Sequence, residues 1–166
     1  AGVRNTKDEQ DLTTFAFGAE GKDSSSFSDT TYRFVLDYDI SDSLMVYGSF
    51  NTGFKSGGFN GSWFGPTPEV QPEEIDSFEL GAKYSSGNVS FEAAFFDYDW
   101  TNLQVAVLSN DAGGLTQENA DAEMTGFEFS STFRPSENLS MGLSGTWLDG
   151  EYTAYSASTH VPASSI

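Results

Sequence analysis

Apolar and polar residues alternate along most of this chain, and that period of two constrains its fold more than any other feature. The runs from Tyr32 to Ile40 and from Phe78 to Tyr84 show it clearly. Successive side chains of a β-strand point to opposite faces, so each run has one apolar and one polar face. No segment has the spacing of an amphipathic helix. The pattern predicts an all-β fold.

Composition agrees with strands and excludes several classes of function. Phenylalanine occurs 15 times and glycine 17 times, and aromatic residues favour strands. Seven basic against 25 acidic residues give a net charge of −18, which argues against nucleic-acid binding because phosphate contacts need clustered Lys and Arg. The chain has no cysteine and a single histidine, His160. We therefore expect no metal site and no cofactor.

Turn signals divide the chain into about seven long strands, the first over residues 2–17. Three connections are short and rich in Ser, Asn, Asp, Gly or Pro: 41–43, 85–88 and 135–138. Three others are predicted as long polar loops: 18–29, 55–74 and 106–120. Short and long connections alternate, so all short ones lie at one end. This is typical of outer-membrane barrels, which have short periplasmic turns and long extracellular loops.

Aromatic residues recur near the strand ends. Phe95 and Phe96 interrupt the alternation, and a β-bulge there would return Tyr98 and Trp100 to the apolar face. With that bulge, two girdles at the membrane interfaces are predicted. Their members are Tyr38, Tyr84 and Phe133 near the short turns, and Phe54, Trp100 and Trp147 at the opposite end. The alternative interpretation is that these rings form the core of a soluble β-sandwich.

Charged residues share the face opposite the Phe and Leu side chains. Lys83, Glu79, Glu92 and Glu128 are examples. In a wide barrel such residues face a hydrated lumen or a plug, whereas in a sandwich they face bulk water. The pattern alone leaves both readings open.

Three segments resemble those of TonB-dependent outer-membrane receptors. Residues 47–60, YGSFNTGFKSGGFN, are similar to that family's Y-x-S-x-S-x-G-F-K-S-G-G-F-N segment. Residues 70–73, VQPE, followed by 77–83, SFELGAK, resemble its PE and E-L-G-x-K elements. Residues 119–128, NADAEMTGFE, resemble its N-A-G strand entry, with Asp121 in place of the usual glycine. The segments occur in the family's order within about residues 2–152.

The resemblance implies an antiparallel, up-and-down transmembrane β-barrel of 22 strands with a plugged lumen. About 10 residues per strand would need roughly 220 strand residues, more than this chain has. We therefore expect residues 1–154 to form part of the barrel and residues 155–166 to be a loop or truncated tail. The plug and the segment that contacts TonB are expected outside this chain.

The implied function is active uptake of a scarce solute across the outer membrane of a Gram-negative bacterium, most often a ferric-siderophore type ligand. The implied partners are outer-membrane lipid and lipopolysaccharide, a siderophore-like ligand, and the TonB complex through the missing N-terminal part. Acidic pairs such as Asp97 and Asp99 could in principle serve glycoside hydrolysis. Because such pairs lie at strand ends or in loops, where acids are solvated, we expect no enzymatic activity.

Four residues of the long 55–74 loop are candidate ligand contacts: Lys55, Asn60, Trp63 and Phe64. Exposed aromatic rings and a cation in a loop suit a binding surface, although loop packing would also account for them.

Two other functions stay open at this point. A small complete outer-membrane barrel with a structural or adhesive role predicts an even strand count and an aromatic C-terminus. A soluble β-sandwich binding module predicts Phe side chains buried between two sheets and folding without detergent.

Overall fold

The computed structural model describes residues 1–16, 18–60, 69–109 and 114–155, and almost all of them are in strands. The described residues form nine strands, in chain order β1 (Gly2–Ala16), β2 (Ala19–Ser41), β3 (Leu44–Lys55), β4 (Gly58–Phe59), β5 (Glu69–Val70), β6 (Glu73–Ser86), β7 (Val89–Ser109), β8 (Gly114–Ser136) and β9 (Leu139–Tyr155). The described part of the chain contains no helix long and apolar enough to cross a membrane.

Seven of these strands form one antiparallel sheet in the order β1-β2-β3-β6-β7-β8-β9, and the short β4 and β5 pair separately. Each long strand pairs with its neighbours in sequence, which is the up-and-down arrangement. Within the described residues, β1 and β9 each pair along one side only. The described sheet is therefore open, with two unpaired edges.

The three predicted short turns are confirmed. They connect Ser41 to Leu44, Ser86 to Val89 and Ser136 to Leu139, and Gly87 takes a positive φ of 56° in the second of them, a conformation that glycine adopts at little cost. All three lie at the same end of the sheet.

Two of the predicted long loops are wrong. Strand β2 already begins at Ala19, β7 continues to Ser109, and β8 begins at Gly114. Residues 19–29 and most of 106–120 are thus paired strand. These tall hairpins have polar residues on both faces, so their sequences lose the alternation by which strands are recognised. For the third, 55–74, β3 ends at Lys55 and β6 begins at Glu73, and the described residues between them contain the two-residue strands β4 and β5. Residues 61–68 of this predicted loop lie outside the described residues.

The stagger of the three turns gives the tilt of the strands. Leu44, beside the first turn, pairs with Tyr84, which lies two residues before the last residue of β6. Val89, beside the second turn, pairs with Phe133, which pairs with Met141, two residues into β9. A stagger of about one residue per strand, with a rise of about 3.3 Å and a strand spacing of about 4.8 Å, tilts the strands by about 35°. Outer-membrane barrels have tilts of this size.

The two faces of the sheet are assigned by the pairing register. One row of paired residues runs through Leu36, Gly48, Leu80, Phe95, Phe127 and Trp147, and rows of this kind make up what we call the apolar face. The alternate rows make up the polar face; one of them runs through Asp37, Tyr47, Gly81, Ala94, Glu128 and Thr146.

The apolar face is exposed. Leu36 is 76% exposed and Phe127 43%, so the Phe side chains are not packed between two sheets as a soluble sandwich requires. The buried apolar residues among those described are few: Phe27, Val70, Ala94, Phe96, Ala120 and Ala122. An exposed apolar band on a sheet of this tilt is suited to contact with lipid.

The predicted bulge at Phe95 is wrong. Pairing of β7 with β6 and β8 continues without a shift from Val89 to Trp100. Tyr98 and Trp100 therefore lie on the polar face, together with Phe96. They occupy the next two rows of that face. The register shift in this strand lies further on, between Trp100 and Leu103.

Candidate functional site

Strands β3 and β6 end well below the tall hairpins on either side of them, and the connection between these two strands joins both hairpins. The carboxamide of Gln10 on β1 donates to the carbonyl oxygen of Gly57 at 2.9 Å and to Ser56 Oγ at 3.4 Å. Gln104 on β7 donates through Nε2 to the carbonyl oxygen of Ser56 at 2.9 Å. Residues 56 and 57 are thus held from two sides.

The second half of the connection is held by Asn119 on β8. Its Oδ1 accepts from the backbone N–H of Gln71 at 2.9 Å, and its Nδ2 donates to the carbonyl oxygen of Gln71 at 3.1 Å. Gln104 also donates to that carbonyl, at 3.2 Å. We call the side chains of Gln10, Asn60, Gln104 and Asn119 the amide cluster.

Asn60 completes the cluster with a reciprocal pair of hydrogen bonds. Its Nδ2 donates to the carbonyl oxygen of Gln117 at 2.8 Å, and its Oδ1 accepts from the Gln117 backbone N–H at 2.7 Å. The carboxamide thus takes the place of a neighbouring strand at this point of β8. Asn60 is only 6% exposed, and burial of a carboxamide is tolerated because its polar atoms are paired.

Apolar packing supports these bonds. Val70 is 2% exposed and Phe27 of β2 is 9% exposed. A Cβ at Gly57 would collide with the Phe27 ring and with the carbonyl oxygen of Val70. A side chain larger than hydrogen cannot be accommodated at residue 57 without displacing the connection.

A register shift in β7 lies beside the cluster. Asn102 has a positive φ of 56°, which is uncommon for a residue with a Cβ. Its N–H donates to Asp121 Oδ1 at 2.9 Å, and its carbonyl accepts from Asn119 Nδ2 at 2.8 Å. Two side chains of β8 thus satisfy the backbone groups that the shift removes from the ladder.

Lower on the polar face, Tyr47 bridges neighbouring strands. Its hydroxyl donates to Glu79 Oε1 at 2.6 Å, and its ring covers Gly81, where an added Cβ would lie 2.5 Å from the ring. Lys83 Nζ lies 5.8 Å from the centroid of that ring and 3.9 Å from Glu92 Oε2. An open recess of about 240 Å³ is lined by Tyr47, Lys83, Glu92 and Glu128, among others.

Three aromatic rings follow one another along β7 on the same face. The Phe96 and Tyr98 rings stack with centroids 5.0 Å apart, and Tyr98 and Trp100 meet edge to face at 5.7 Å. The Phe96 ring lies over Gly126 of β8. The three rings form an aromatic stripe along β7 that runs towards the amide cluster.

The structure places two of the four candidate ligand contacts. Lys55 is exposed at the end of β3 and lies 3.6 Å from Glu73 Oε2, whereas Asn60 is buried with both polar atoms of its amide bonded to Gln117. Trp63 and Phe64 lie outside the described residues. Ligand contact by any of the four stays a prediction.

Five of the six girdle aromatics lie on the apolar face, and Trp100 does not. Tyr38 pairs with Val46, two residues from the turn-flanking Leu44. Tyr84 lies two residues before Ser86, and Phe133 pairs with Met141, two residues past Leu139. These three rings are therefore at equal heights above their turns. Phe54 and Trp147 share the same face nearer the other end, and lipid contact by these rings stays a prediction.

The sequence did not single out Gln10 or Gln104, and it marked Asn119 only as the first residue of the 119–128 segment, with no bonding role. The bonding partners of these three side chains in the connection lie 33 to 48 residues away in the chain. Only the folded register brings them together.

A family model described as TonB dependent receptor-like, beta-barrel, matches residues 1–164. A pesticin receptor of Yersinia enterocolitica is 28% identical over 141 residues, which are 82% of this chain and 20% of that protein. The chain thus spans about a fifth of the length of this curated relative.

Solved structures share the fold. The ferric yersiniabactin uptake receptor FyuA from Yersinia pestis superposes with a TM-score of 0.73 at 21% identity, over 91% of this chain and 23% of that one. The copper transporter OprC gives 0.66 at 15% identity, over 91% and 26%. The alcaligin outer-membrane receptor FauA from Bordetella pertussis gives 0.60 at 19% identity, over 95% and 28%.

Proposed function

Because this chain belongs to the TonB-dependent receptor β-barrel family, we propose that the whole protein of which it forms part imports a ferric-siderophore type ligand. Members of the family are receptors and transporters of the Gram-negative outer membrane, and they interact with TonB. The chain supplies seven strands of the barrel wall. The energy for import would come from TonB, through a part of the protein outside these residues.

The observation that carries the proposal is the match of the family model along residues 1–164. The apolar face and the strand tilt of about 35° support a place in the membrane wall. The choice of a ferric chelate is motivated by FyuA, an uptake receptor for ferric yersiniabactin.

Ligand contact is proposed at the end of the sheet opposite the three short turns, which we call the rim. There the amide cluster holds the connection between β3 and β6. Lys55 is the described candidate there; its ammonium group is exposed beside Glu73, so it can reach an anionic ligand. Trp63 and Phe64 belong to the same connection and remain proposed contacts. Asn60 would act through its hold on Gln117, since its amide has no free polar atom.

Two further partners are proposed. Lipid and lipopolysaccharide would contact the apolar face. Tyr38, Tyr84 and Phe133 would lie at one membrane interface and Phe54 and Trp147 near the other, because aromatic rings favour the headgroup level.

Deleting the gene of the whole protein from its host tests the proposed function. Growth in iron-depleted medium is compared between parent and deletion strain when single ferric siderophores are supplied. We expect the deletion to abolish growth on at least one ferric siderophore, and the whole gene on a plasmid to restore it. A deletion strain that grows like its parent on every ferric siderophore would contradict the proposal.

A second candidate cargo is copper, because the copper transporter OprC shares the fold. The same two strains distinguish it. Loss of copper accumulation with unchanged use of ferric siderophores would favour copper over iron.

A further inference from the structure

The three arginines, Arg4, Arg33 and Arg134, differ from the lysines of this chain, and two of them, Arg4 and Arg33, lie on adjacent strands. The four ion pairs that the described residues form all involve lysines: Lys7 with Glu9, Lys22 with Glu20, Lys55 with Glu73 and Lys83 with Glu92. Arg4 and Arg33 have neither an ion pair nor a side-chain hydrogen bond within the described part of the chain. Their charges are therefore available to another molecule or segment.

The pairing register places both arginines on the polar face. Arg33 pairs with Gly2 on one side and Asn51 on the other, and Arg4 pairs with Thr31. The two arginines therefore lie in consecutive rows of adjacent strands. Tyr32 and Phe34, the neighbours of Arg33 in the chain, belong to the apolar face. The arginines therefore lie on the opposite side of the sheet from these two rings.

A recess of about 580 Å³ adjoins the arginines. Its lining consists of Gly2, Val3, Arg4, Thr31, Tyr32, Arg33, Asn51 and Thr52. None of the described carboxylates lines it, although the chain has 25 acidic residues. Within strands β1 and β2, the closest acidic residues on the same face are Asp29, in the row beyond Arg4, and Asp37, in the second row on the other side of Arg33. Neither is paired with an arginine.

We propose that Arg4 and Arg33 form a binding subsite for a carboxylate-type oxyanion on the lumen wall of the receptor. A guanidinium group offers several N–H donors in a planar fork that fits two carboxylate oxygens. In a lumen filled by protein or ligand, two uncompensated guanidinium groups would be costly, and an oxyanion between them removes that cost. The subsite rests on the receptor fold of the proposed function, and it does not require that the cargo contain iron.

Such an oxyanion has two possible sources. It can belong to an anionic ligand that enters from the rim, or it can be an Asp or Glu side chain of another segment of the receptor inside the lumen. The chemistry at the arginines is the same in both cases, and the experiment distinguishes them.

The test uses the whole receptor purified in detergent, with citrate as the probe. The variant R4Q/R33Q is compared with K7Q/K22Q, which also removes two positive charges from strands β1 and β2 but takes them from lysines that are ion-paired on the opposite face. Melting temperature is followed by tryptophan fluorescence over a range of citrate concentrations, at constant ionic strength.

With an external oxyanion, citrate raises the melting temperature of the parent and of K7Q/K22Q, and R4Q/R33Q needs about tenfold more citrate for the same rise. With an internal carboxylate, citrate has no effect, and R4Q/R33Q without citrate melts about 2 °C or more below K7Q/K22Q. Either result supports the subsite. Equal behaviour of the two variants, with and without citrate, would overturn it.

A second variant guards against a fold defect. R4K/R33K keeps both charges but loses the planar fork. It should recover most of the melting temperature lost in R4Q/R33Q while binding the oxyanion more weakly than the parent. Because none of these measurements requires transport, a receptor that fails to import ferric siderophores can still confirm or refute the subsite.

Discussion

Tyr47 and Glu79 are joined across strands β3 and β6 by a hydrogen bond of 2.6 Å, in which the phenol hydroxyl donates to Oε1 of the carboxylate. The bond fixes the Tyr47 ring above Gly81. Within the described residues, the Tyr47 hydroxyl is the donor to the Glu79 carboxylate. The pair therefore stabilises this part of the wall.

Tyr47→Phe should lower the free energy of unfolding of the whole receptor by about 1–3 kcal/mol, because it leaves a half-buried carboxylate without its donor. Urea unfolding in detergent, followed by fluorescence, measures the loss. Tyr98→Phe is the matched control, since the Tyr98 hydroxyl has no hydrogen-bond partner in the described residues. An equal effect of both substitutions would contradict a specific role for the bond.

Gly126→Ala should destabilise the receptor by about 1–3 kcal/mol, because the new methyl group would collide with the Phe96 ring. Phe96 is buried and stacked on Tyr98, so the ring has little room to move. Gly142→Ala serves as the comparison, since its Cβ would lie 3.8 Å from the nearest atom. Unfolding midpoints of the two variants that agree within error would count against this packing.

Asn60→Ala should loosen the connection between β3 and β6, because both bonds to Gln117 are lost. The backbone N–H and carbonyl of Gln117 then lose the partners that Asn60 supplied. We expect chymotrypsin to cleave the native receptor between residues 56 and 73 at least several-fold faster. Asn51→Ala removes a carboxamide whose hydrogen bond, among the described residues, goes to Ser49 of its own strand, and it should leave that rate unchanged.

Phe95→Arg should cost about 2–4 kcal/mol of folding free energy in a bilayer, since it places a cation in the middle of the apolar face. Ser130→Arg adds the same side chain to the polar face and should cost much less. The fraction of receptor that folds into lipid vesicles, separated by heat-modifiable gel migration, gives the comparison. A similar yield for the two variants would refute the assignment of faces.

Acid should weaken the attachment of the connection at Asp8, which lies on β1 beyond the apolar band. The hydrogen bond with Ser56, together with one from Gln10, lowers the pKa of Asp8 below its ordinary value of 3.8. A lowered folded-state pKa means that the ionised form stabilises the fold above pH 3.8, and this contribution is lost as pH falls through the folded value. Asp8→Asn should therefore reduce the fall in the urea unfolding midpoint of the whole receptor between about pH 6 and about pH 2.5, measured in detergent by fluorescence at each pH.

The alternation of residues predicted the strands wherever one face of the sheet is apolar. Phe78 to Tyr84 is one example, because its apolar side chains all lie on the apolar face. The same reasoning missed the tall hairpins, since both faces of residues 19–29 are polar and no alternation is required of them. It also misplaced Trp100, because two adjacent aromatics were taken for a bulge when one of them, Phe96, packs over Gly126 on the polar face.

The rim could be predicted less well than the wall. The sequence identified the connection at 55–74 and its glycines, but the partner of Asn60 is Gln117, 57 residues away. Arg4 and Arg33 lack any local motif, and only the strand register shows that they adjoin one recess. Pairings of this kind depend on the stagger of whole strands, which short-range patterns do not encode.

The stagger of one residue per strand also determines how sharply the wall curves. For the 22 strands expected of this family, a tilt of about 35° gives a cylinder roughly 40 Å across, of which seven strands form about a third of the circumference. An arc this shallow meets a small molecule from one side only. A ligand inside the complete cylinder would also contact strands far from this arc. Selectivity for the ligand would therefore be shared between this arc and the strands on the opposite side.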